Sequence, residues 1–191
     1  MDTQTIAAGH LTAKDALIAY LAQGNAVKYL FFWGHTSNDP TQIGKECLSQ
    51  WYPAAFEIDG IHYPTAEHYM MAEKARVFHD DAVLQKILAN DDPSLAKQLG
   101  REVKNYNDNT WKQHRFDIVV RGNSAKFAQN EKLKAFLQST GDQILVEASP
   151  EDKIWGIGLY DNHPDARTPA KWRGLNLLGF ALMEVREGLK I

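Results

Sequence analysis

The sequence contains very little cysteine: Cys47 is the only one in 191 residues. A single cysteine excludes an intrachain disulfide framework and favours a reducing compartment. No apolar run approaches the roughly 18–20 residues that a membrane-spanning helix requires. The N-terminus also lacks the basic and apolar pattern of a secretory signal. We therefore expect a cytoplasmic protein that does not cross a membrane.

Sequence motifs for bound cofactors and metals are also missing. The chain has no GxGxxG motif and no P-loop, and Gly156 and Gly158 form only an isolated glycine pair. The seven histidines show no metal-binding spacing. Cys47 lies in no recognisable catalytic motif, and we interpret it as a small packing residue. We expect neither a cofactor nor a metal.

Acidic residues slightly outnumber basic residues overall, but the basic residues are concentrated in one stretch. The net charge is −3 and the pI is about 6.2, which argues against a broad surface for duplex DNA. Residues 97–126, however, carry seven basic side chains against three carboxylates. This excess indicates either a solvated helix face or a wall that faces phosphate. Arg101 and Arg121 are the best phosphate candidates, because guanidinium binds phosphate in a bidentate manner.

Hydrophobic periodicity predicts a mainly α-helical fold with a small β element. The aromatic run 27–33 predicts a buried strand, Asp59-Gly60 predicts a hairpin turn, and 143–148 predicts a short strand. We predict one domain over residues 26–191, preceded by a helical N-terminal extension over residues 1–25 that packs on it. Predicted helices cover residues 12–23, 65–78, 80–89, 92–100 (ended by Gly100), 110–127, 131–138 and 177–189.

The predicted helix after Pro64 has an apolar side that is interrupted by two ionisable residues. Thr65 is a plausible N-cap, and residues such as Met71 define an apolar side. Glu67 and Lys74 fall in the middle of that side, where ionisable groups are costly unless they are paired or line a cavity. Each charge alone also has a structural explanation. Glu67 would be stabilised by the helix dipole in the first turn, and the aliphatic stem of Lys74 could lie on the core while its amine reaches water. Together, about 10 Å apart along the helix, they indicate a site.

A second cluster follows the predicted strand 143–148. Asp152, Trp155 and Gly156 lie close in sequence in an irregular segment. They form either a polar loop with a core tryptophan, or a loop that presents a carboxylate and an indole face to a flat ligand. The residue pattern leaves both interpretations open.

Several of these segments together resemble the NADAR family, also called YbiA-like. The resemblance runs in consistent order over roughly residues 29–189. Two positions depart from the family pattern: Phe32-Trp33, and Ser49-Gln50-Trp51, where the usual central residue is asparagine. The matching segments are Phe32-Trp33, Leu48–Pro53, Glu67–Lys74, Gly100-Arg101, Trp111, Trp155–Gly158 and Trp172–Glu184.

The resemblance implies a mainly helical N-glycosidase. It implies hydrolysis of phosphoribosylamino-pyrimidines, the reactive early intermediates of riboflavin biosynthesis. We predict that Glu67, with Asp152 as second choice, stabilises the positive charge that develops on the sugar. Lys74 would either supply positive charge or attack the anomeric carbon to form a Schiff base. Trp155 and Gly156 would receive the base, and Arg101 and Arg121 the phosphate.

The remaining expectations concern partners and alternatives. The substrate would be a small phosphorylated ribosylamine. The alternatives are hydrolysis of ADP-ribosyl-guanine in DNA, and binding of NAD or ADP-ribose without turnover. The oligomeric state is left open by the sequence. Further substrate contacts are predicted from residues inside the matching segments: Phe32, Trp33, Trp51, His68 and Met71.

Overall fold

The computed structural model describes residues 11–37, 39 and 41–190, and these residues fall into two compact units. The first unit combines the described residues up to Trp33 with those from Ala135 onward, and the second runs from Gly34 to Lys134. The prediction of one domain over residues 26–191 stays a prediction. Residues 1–10 of the predicted N-terminal extension lie outside the described residues.

The fold is mainly helical, as predicted. In the described part of the chain, seven α-helices and four short strands alternate with two 3₁₀ turns, at Lys45–Leu48 and Pro169–Lys171. The helices are α1 (Lys14–Ala22), α2 (Ala66–Val77), α3 (Asp81–Leu88), α4 (Pro93–Arg101), α5 (Asp108–Gln129), α6 (Glu131–Ser139) and α7 (Leu177–Gly188). The strands are β1 (Tyr29–Phe32), β2 (Phe56–Ile58), β3 (Ile61–Tyr63) and β4 (Ile144–Glu147).

A parallel strand pair forms the centre of the first unit. β1 pairs with β4 in a register that places Tyr29 opposite Ile144. Helix α7 packs on β4 at very close range, since a Cβ at Gly179 would lie 2.0 Å from the Leu145 carbonyl oxygen. Asn176, at the start of α7, bonds to β4 through both side-chain atoms: it donates to Leu145 O (2.9 Å) and accepts from Glu147 N (3.0 Å). The two predicted strands thus become one small sheet.

Helix α2 forms the centre of the second unit. It packs against α3, α4 and α5, so that residues on all of its sides are buried. Periodicity predicts a single apolar side, but Tyr69, on the side opposite to it, is 1% exposed. Two glycines make this packing possible: Gly122 on α5 lies against the Tyr69 ring, and Gly100 on α4 lies against Met71.

Local sequence signals set most of the element ends in the second unit. The Thr65 hydroxyl accepts a hydrogen bond from the backbone of His68, as an N-cap should (3.4 Å). Asp59 and Gly60 both have positive φ angles in the β2–β3 turn, which confirms the hairpin. The predicted end of α4 at Gly100 is wrong, because the helix continues through it to Arg101. Gly100 serves close packing rather than helix termination.

Candidate active site

The first turn of α2 holds Glu67 in a buried position. Its backbone N–H donates to the carbonyl oxygen of Gln50 (3.0 Å), which ties the helix start to the segment after the first 3₁₀ turn. Glu67 is 3% exposed. Gln50 is in turn held by Asn123 on α5, whose Nδ2 donates to Gln50 Oε1 (2.7 Å). The carboxylate therefore lies on a backbone that is fixed from two directions.

Two turns further along α2, Lys74 points toward α4. Its Nζ donates to the Gly100 carbonyl oxygen at 2.7 Å. The same amine lies over the Tyr106 ring, 4.5 Å from its centroid, and 5.9 Å from the centroid of Trp111. Cation–π contacts of this kind stabilise an ammonium group that has lost part of its water. Lys74 is half-buried between these rings.

Glu67, Lys74 and Arg101 interact electrostatically, and with Tyr106 and Trp111 they make up what we call the Lys74 cluster. Burial lowers the pKa of Lys74, the nearby Arg101 charge lowers it further, and the Glu67 charge opposes both effects. The structure thus brings Glu67 and Lys74 of α2 within electrostatic range of Arg101, one of the two predicted phosphate-binding arginines. A lysine with a depressed pKa beside a carboxylate is typical of a catalytic site.

A separate aromatic position lies near the start of α4. The Trp51 ring is half-buried, and Lys97 Nζ lies 5.7 Å from its centroid. The ring of His35 lies 5.7 Å from that of Trp51. Trp51 therefore offers a partly exposed ring flanked by a cation and an imidazole, which suits a flat or anionic ligand.

Other predicted residues in the second unit have local partners instead. Arg121 forms an exposed ion pair with Asp59 of the hairpin turn (2.8 Å). His68 is buried, and its ring nitrogens face Thr65 Oγ1 (2.8 Å) and Asn90 Oδ1 (3.4 Å). Met71 packs on Gly100. A substrate contact from any of these three residues stays a prediction.

The basic stretch 97–126 does not form one continuous wall. Lys126 is completely buried, and its Nζ donates to the carbonyl oxygens of Cys47 (2.7 Å) and Ser49 (2.9 Å). Lys112 pairs with Asp108 at 2.5 Å. Lys126 and Lys112 therefore already have partners within the protein. The number of basic residues in this stretch overstates the positive charge that is available to a ligand.

The remaining predicted residues lie in the first unit. Asp152 Oδ1 accepts hydrogen bonds from the backbone N–H groups of Ile154 (2.8 Å) and Trp155 (2.7 Å), so this carboxylate organises its own loop. Gly156 is close to protein backbone: a Cβ there would lie 2.9 Å from the Glu147 carbonyl oxygen. A ligand role for Asp152, Trp155 or Gly156 stays a prediction.

The predicted aromatic pair Phe32-Trp33 divides between core and surface. Phe32, in β1, is 1% exposed, whereas Trp33 is 57% exposed. Trp33 contacts Tyr160 edge to face, with ring centroids 5.6 Å apart. Of the two, Trp33 is the residue that a ligand can reach in this structure.

Sequence reasoning missed Tyr106 as a site residue. It precedes the N-cap of α5 in a polar segment, where an aromatic residue gives no periodic signal. Its position beside Lys74 depends on the packing of α2 against α4 and α5, which no local pattern encodes. Trp111, by contrast, lay within the matching segments.

Two features that would change the class of site are missing from the described residues. Within residues 11–37, 39 and 41–190, no group of three or more His, Cys, Asp or Glu side chains is arranged to hold a metal ion. In the same part of the chain, no helix is both long and apolar enough to cross a membrane.

Comparison with known proteins assigns the family. The sequence profile of the NADAR domain matches residues 31–190, and the chain belongs to this family. An N-glycosidase of Acanthamoeba polyphaga mimivirus is 45% identical over 165 residues, which cover 84% of this chain and 95% of that protein. N-glycosidase YbiA of Escherichia coli is 32% identical over 135 residues, with 71% of this chain and 76% of YbiA covered.

Two further comparisons concern fold and pathway. The NMR structure of E. coli YbiA matches with a TM-score of 0.68 at 26% identity, covering 87% of each chain, which confirms the predicted YbiA-like fold. A riboflavin biosynthesis protein of Vibrio vulnificus is 34% identical over 143 residues, covering 75% of this chain and 35% of that protein. With its N-glycosidase relatives, the chain is classed as a hydrolase acting on glycosyl compounds.

Proposed function

We propose that this chain is a cytoplasmic N-glycosidase that hydrolyses the C–N glycosidic bond of phosphoribosylamino-pyrimidine intermediates of riboflavin biosynthesis. Removing these reactive compounds would pre-empt damage to other molecules. The observation that carries the proposal is the Lys74 cluster, in which a buried carboxylate and a partly desolvated lysine share one helix. A relative named as a riboflavin biosynthesis protein supports the choice of pathway.

Glu67 is the proposed group that stabilises the reacting sugar. Cleavage of an N-glycosidic bond leaves the anomeric carbon with oxocarbenium-like positive charge. A carboxylate in a site with little water stabilises that charge more strongly than it would in bulk solvent. The hydrogen bond from the Glu67 backbone N–H to the Gln50 carbonyl oxygen fixes the backbone of Glu67. This limits the reorganisation that the reaction requires.

Lys74 can act in either of two ways. As an ammonium group it would stabilise negative charge on the phosphate or on the departing base. As a neutral amine it would attack the anomeric carbon: the C–N bond to the base breaks, the base leaves with the electron pair and takes a proton, and ring opening gives an imine to Nζ. Water then releases the sugar phosphate and restores the lysine. The lowered pKa of Lys74 supports the second route.

The predicted roles of Trp155 and Asp152 in the first unit belong to the same proposal. Trp155 is half-buried and would stack on the base, and its truncation to alanine should raise KM. Asp152 is the second candidate for a catalytic carboxylate, and it already accepts two backbone hydrogen bonds within its own loop. Asp152→Asn preserves part of that bonding and tests the chemical role separately.

Parallel assays with two candidate substrates test the proposed function. Purified protein is offered a phosphoribosylamino-pyrimidine and, in parallel, DNA that carries ADP-ribosylated guanine, and the released sugar product is quantified. Cleavage of the pyrimidine, lost in Glu67→Gln, is the expected result. Cleavage of the DNA adduct alone would show that the substrate is ADP-ribosylated DNA instead. Binding of ADP-ribose or NAD without any cleavage would show that the protein is a binding module and not an enzyme.

A further inference from the structure

Arg115 is a buried cation without a hydrogen-bonding partner. It lies on α5, one turn after Trp111, and is 7% exposed. Its guanidinium makes no hydrogen bond and no ion pair with any residue in the part of the chain that the structure describes. Its nitrogens are not among the sealed, unpartnered atoms of the described residues, so they reach the protein surface and are open to an added acceptor. A guanidinium with little access to water normally binds carboxylates or carbonyls, because a poorly solvated, unpaired charge is destabilising. A ligand that supplies the missing acceptors would remove this cost.

The Arg115 charge acts on Tyr106 and Asp108, where it lowers the pKa of both groups. The Asp108 carboxylate is already shared: one oxygen accepts from the Tyr106 hydroxyl (3.1 Å) and the other pairs with Lys112 (2.5 Å). Asp108 is therefore occupied by other partners, and the positive charge of Arg115 is only partly compensated.

Tyr106 connects Arg115 with the Lys74 cluster. Its ring lies beneath the Lys74 amine, and its hydroxyl is influenced by the Arg115 charge. Arg101, at the end of α4, lies close enough to Lys74 to lower that pKa, and like Arg115 it has no hydrogen-bonding partner among the described residues. Lys74 is thus linked to Tyr106 and Trp111 by ring contacts, to Arg101 by charge, and through Trp111 to the face of α5 that carries Arg115 one turn later, with Glu67 as the opposing charge on α2.

We propose that Arg115, Arg101 and Lys74 form an anion site around Tyr106 that binds a phosphomonoester dianion. In this proposal the largely buried Arg115 binds two oxygens of the phosphate through its guanidinium, and the exposed Arg101 binds the phosphate from the solvent side. Arg121, which the sequence also favours for phosphate, forms an ion pair with Asp59 on the hairpin and is not one of the three cations of this proposed site. The identification of the dianion as the 5′-phosphate of the substrate rests on the proposed function.

Direct binding without turnover tests the site. Affinities for ribose 5-phosphate and for unphosphorylated ribose are measured by calorimetry on wild type, Arg115→Met, Arg115→Lys and, as a control that removes an exposed positive charge from α6, Lys132→Met. Arg115→Met should weaken ribose 5-phosphate binding by about tenfold to a hundredfold, the loss expected for hydrogen bonds to a charged group. Arg115→Lys should lose less, because it keeps the charge, and Lys132→Met should bind like wild type.

The outcomes separate this inference from the proposed function. Unchanged affinity in whichever Arg115 variants retain the wild-type unfolding transition would overturn the anion site, and turnover of the pyrimidine substrate would then still support the function. If binding of ribose 5-phosphate depends on Arg115 but the protein cleaves no substrate, the result would support the anion site and contradict the proposed function. Equal affinity for ribose and ribose 5-phosphate in wild type would also overturn the site.

Discussion

The Lys74 amine and the Gly100 carbonyl oxygen are joined by a 2.7 Å hydrogen bond that links the middle of α2 to the last turn of α4. The approach depends on glycine, because a Cβ at residue 100 would lie 2.0 Å from the Met71 sulfur. A carbonyl near a helix C-terminus carries partial negative charge and holds the ammonium form of a lysine in place. Lys74 is thus positioned by a main-chain carbonyl rather than by another side chain, and glycine at residue 100 keeps the two helices close enough for this contact.

Replacing Glu67 by glutamine removes a charge and almost no volume. If the carboxylate stabilises the oxocarbenium-like state, kcat should fall by about 10²–10⁴-fold while the protein stays folded. Steady-state kinetics and a thermal unfolding curve check the two halves of this prediction. Glu73→Gln is the matched control on the same helix, since Glu73 pairs with Arg76 and lies outside the Lys74 cluster. Equal kcat in wild type and Glu67→Gln would remove Glu67 from the mechanism.

Borohydride should distinguish the two roles of Lys74. Reduction during turnover converts an imine into a stable secondary amine, so intact-protein mass spectrometry should show an added sugar phosphate, and peptide mapping should locate it at residue 74. Lys74→Arg, which retains positive charge but cannot form the imine, should show no adduct. If wild type gives no adduct while turnover continues, Lys74 acts through its charge alone.

Lys126 should make stability rise with pH. Complete burial lowers its pKa to about 7, whereas the unfolded chain keeps a value near the ordinary one of about 10.4. Between those values the unfolded state binds the extra proton, so the free energy of unfolding increases with pH across that window. Lys126→Met should lack this rise. It should also lose about 1–3 kcal/mol, because the Cys47 and Ser49 carbonyls lose their donor.

Urea unfolding at pH 6, 7.5 and 9 measures this effect. The difference between wild type and Lys126→Met isolates the lysine from other titrating groups. One of those is Cys47, whose pKa is raised by burial to about 12 and whose contribution runs in the opposite direction. A difference between the two proteins that stays constant over the whole range would contradict the prediction.

Gly122 is required by the ring of Tyr69. A Cβ at residue 122 would lie 2.5 Å from Cδ1 of that ring, which is rigid and buried on all sides. Gly122→Ala should therefore destabilise the protein by about 1–3 kcal/mol, partly offset by the better helix propensity of alanine. Gly188→Ala is the control, because nothing lies within 4 Å of a Cβ there. Thermal denaturation should place the Gly122 variant below wild type, and the Gly188 variant level with it or above.

The elements that could be predicted from sequence are those whose causes are local. Thr65 caps α2, Asp59-Gly60 makes the hairpin turn, and Pro93 starts α4, each through the chemistry of a few adjacent residues. The pairing of β1 with β4 could not be predicted, because it joins segments far apart in the chain. The role of Gly100 was misjudged for the same reason, since its neighbour Met71 comes from another helix.

For the candidate site, sequence reasoning found the charges but not all of their partners. Glu67 and Lys74 stood out because they interrupt an apolar pattern, and the structure joins them to Arg101. Arg121 and Arg115 look alike in sequence, one on each side of a long helix, yet one meets the hairpin and the other is buried beside Tyr106. Only three-dimensional packing separates a paired arginine from an unpaired one.

The parallel pairing of β1 with β4 has a consequence for the order of folding. The second unit is one uninterrupted stretch of chain, whereas the first unit needs segments from both sides of it. During synthesis, the contacts of α2 with α3, α4 and α5 can form before β4 has left the ribosome. Ordering the intervening chain brings the ends of β1 and β4 within easier reach and reduces the entropy lost on closing a long loop. We therefore expect the helix that carries Glu67 and Lys74 to be structured before the sheet of the first unit exists.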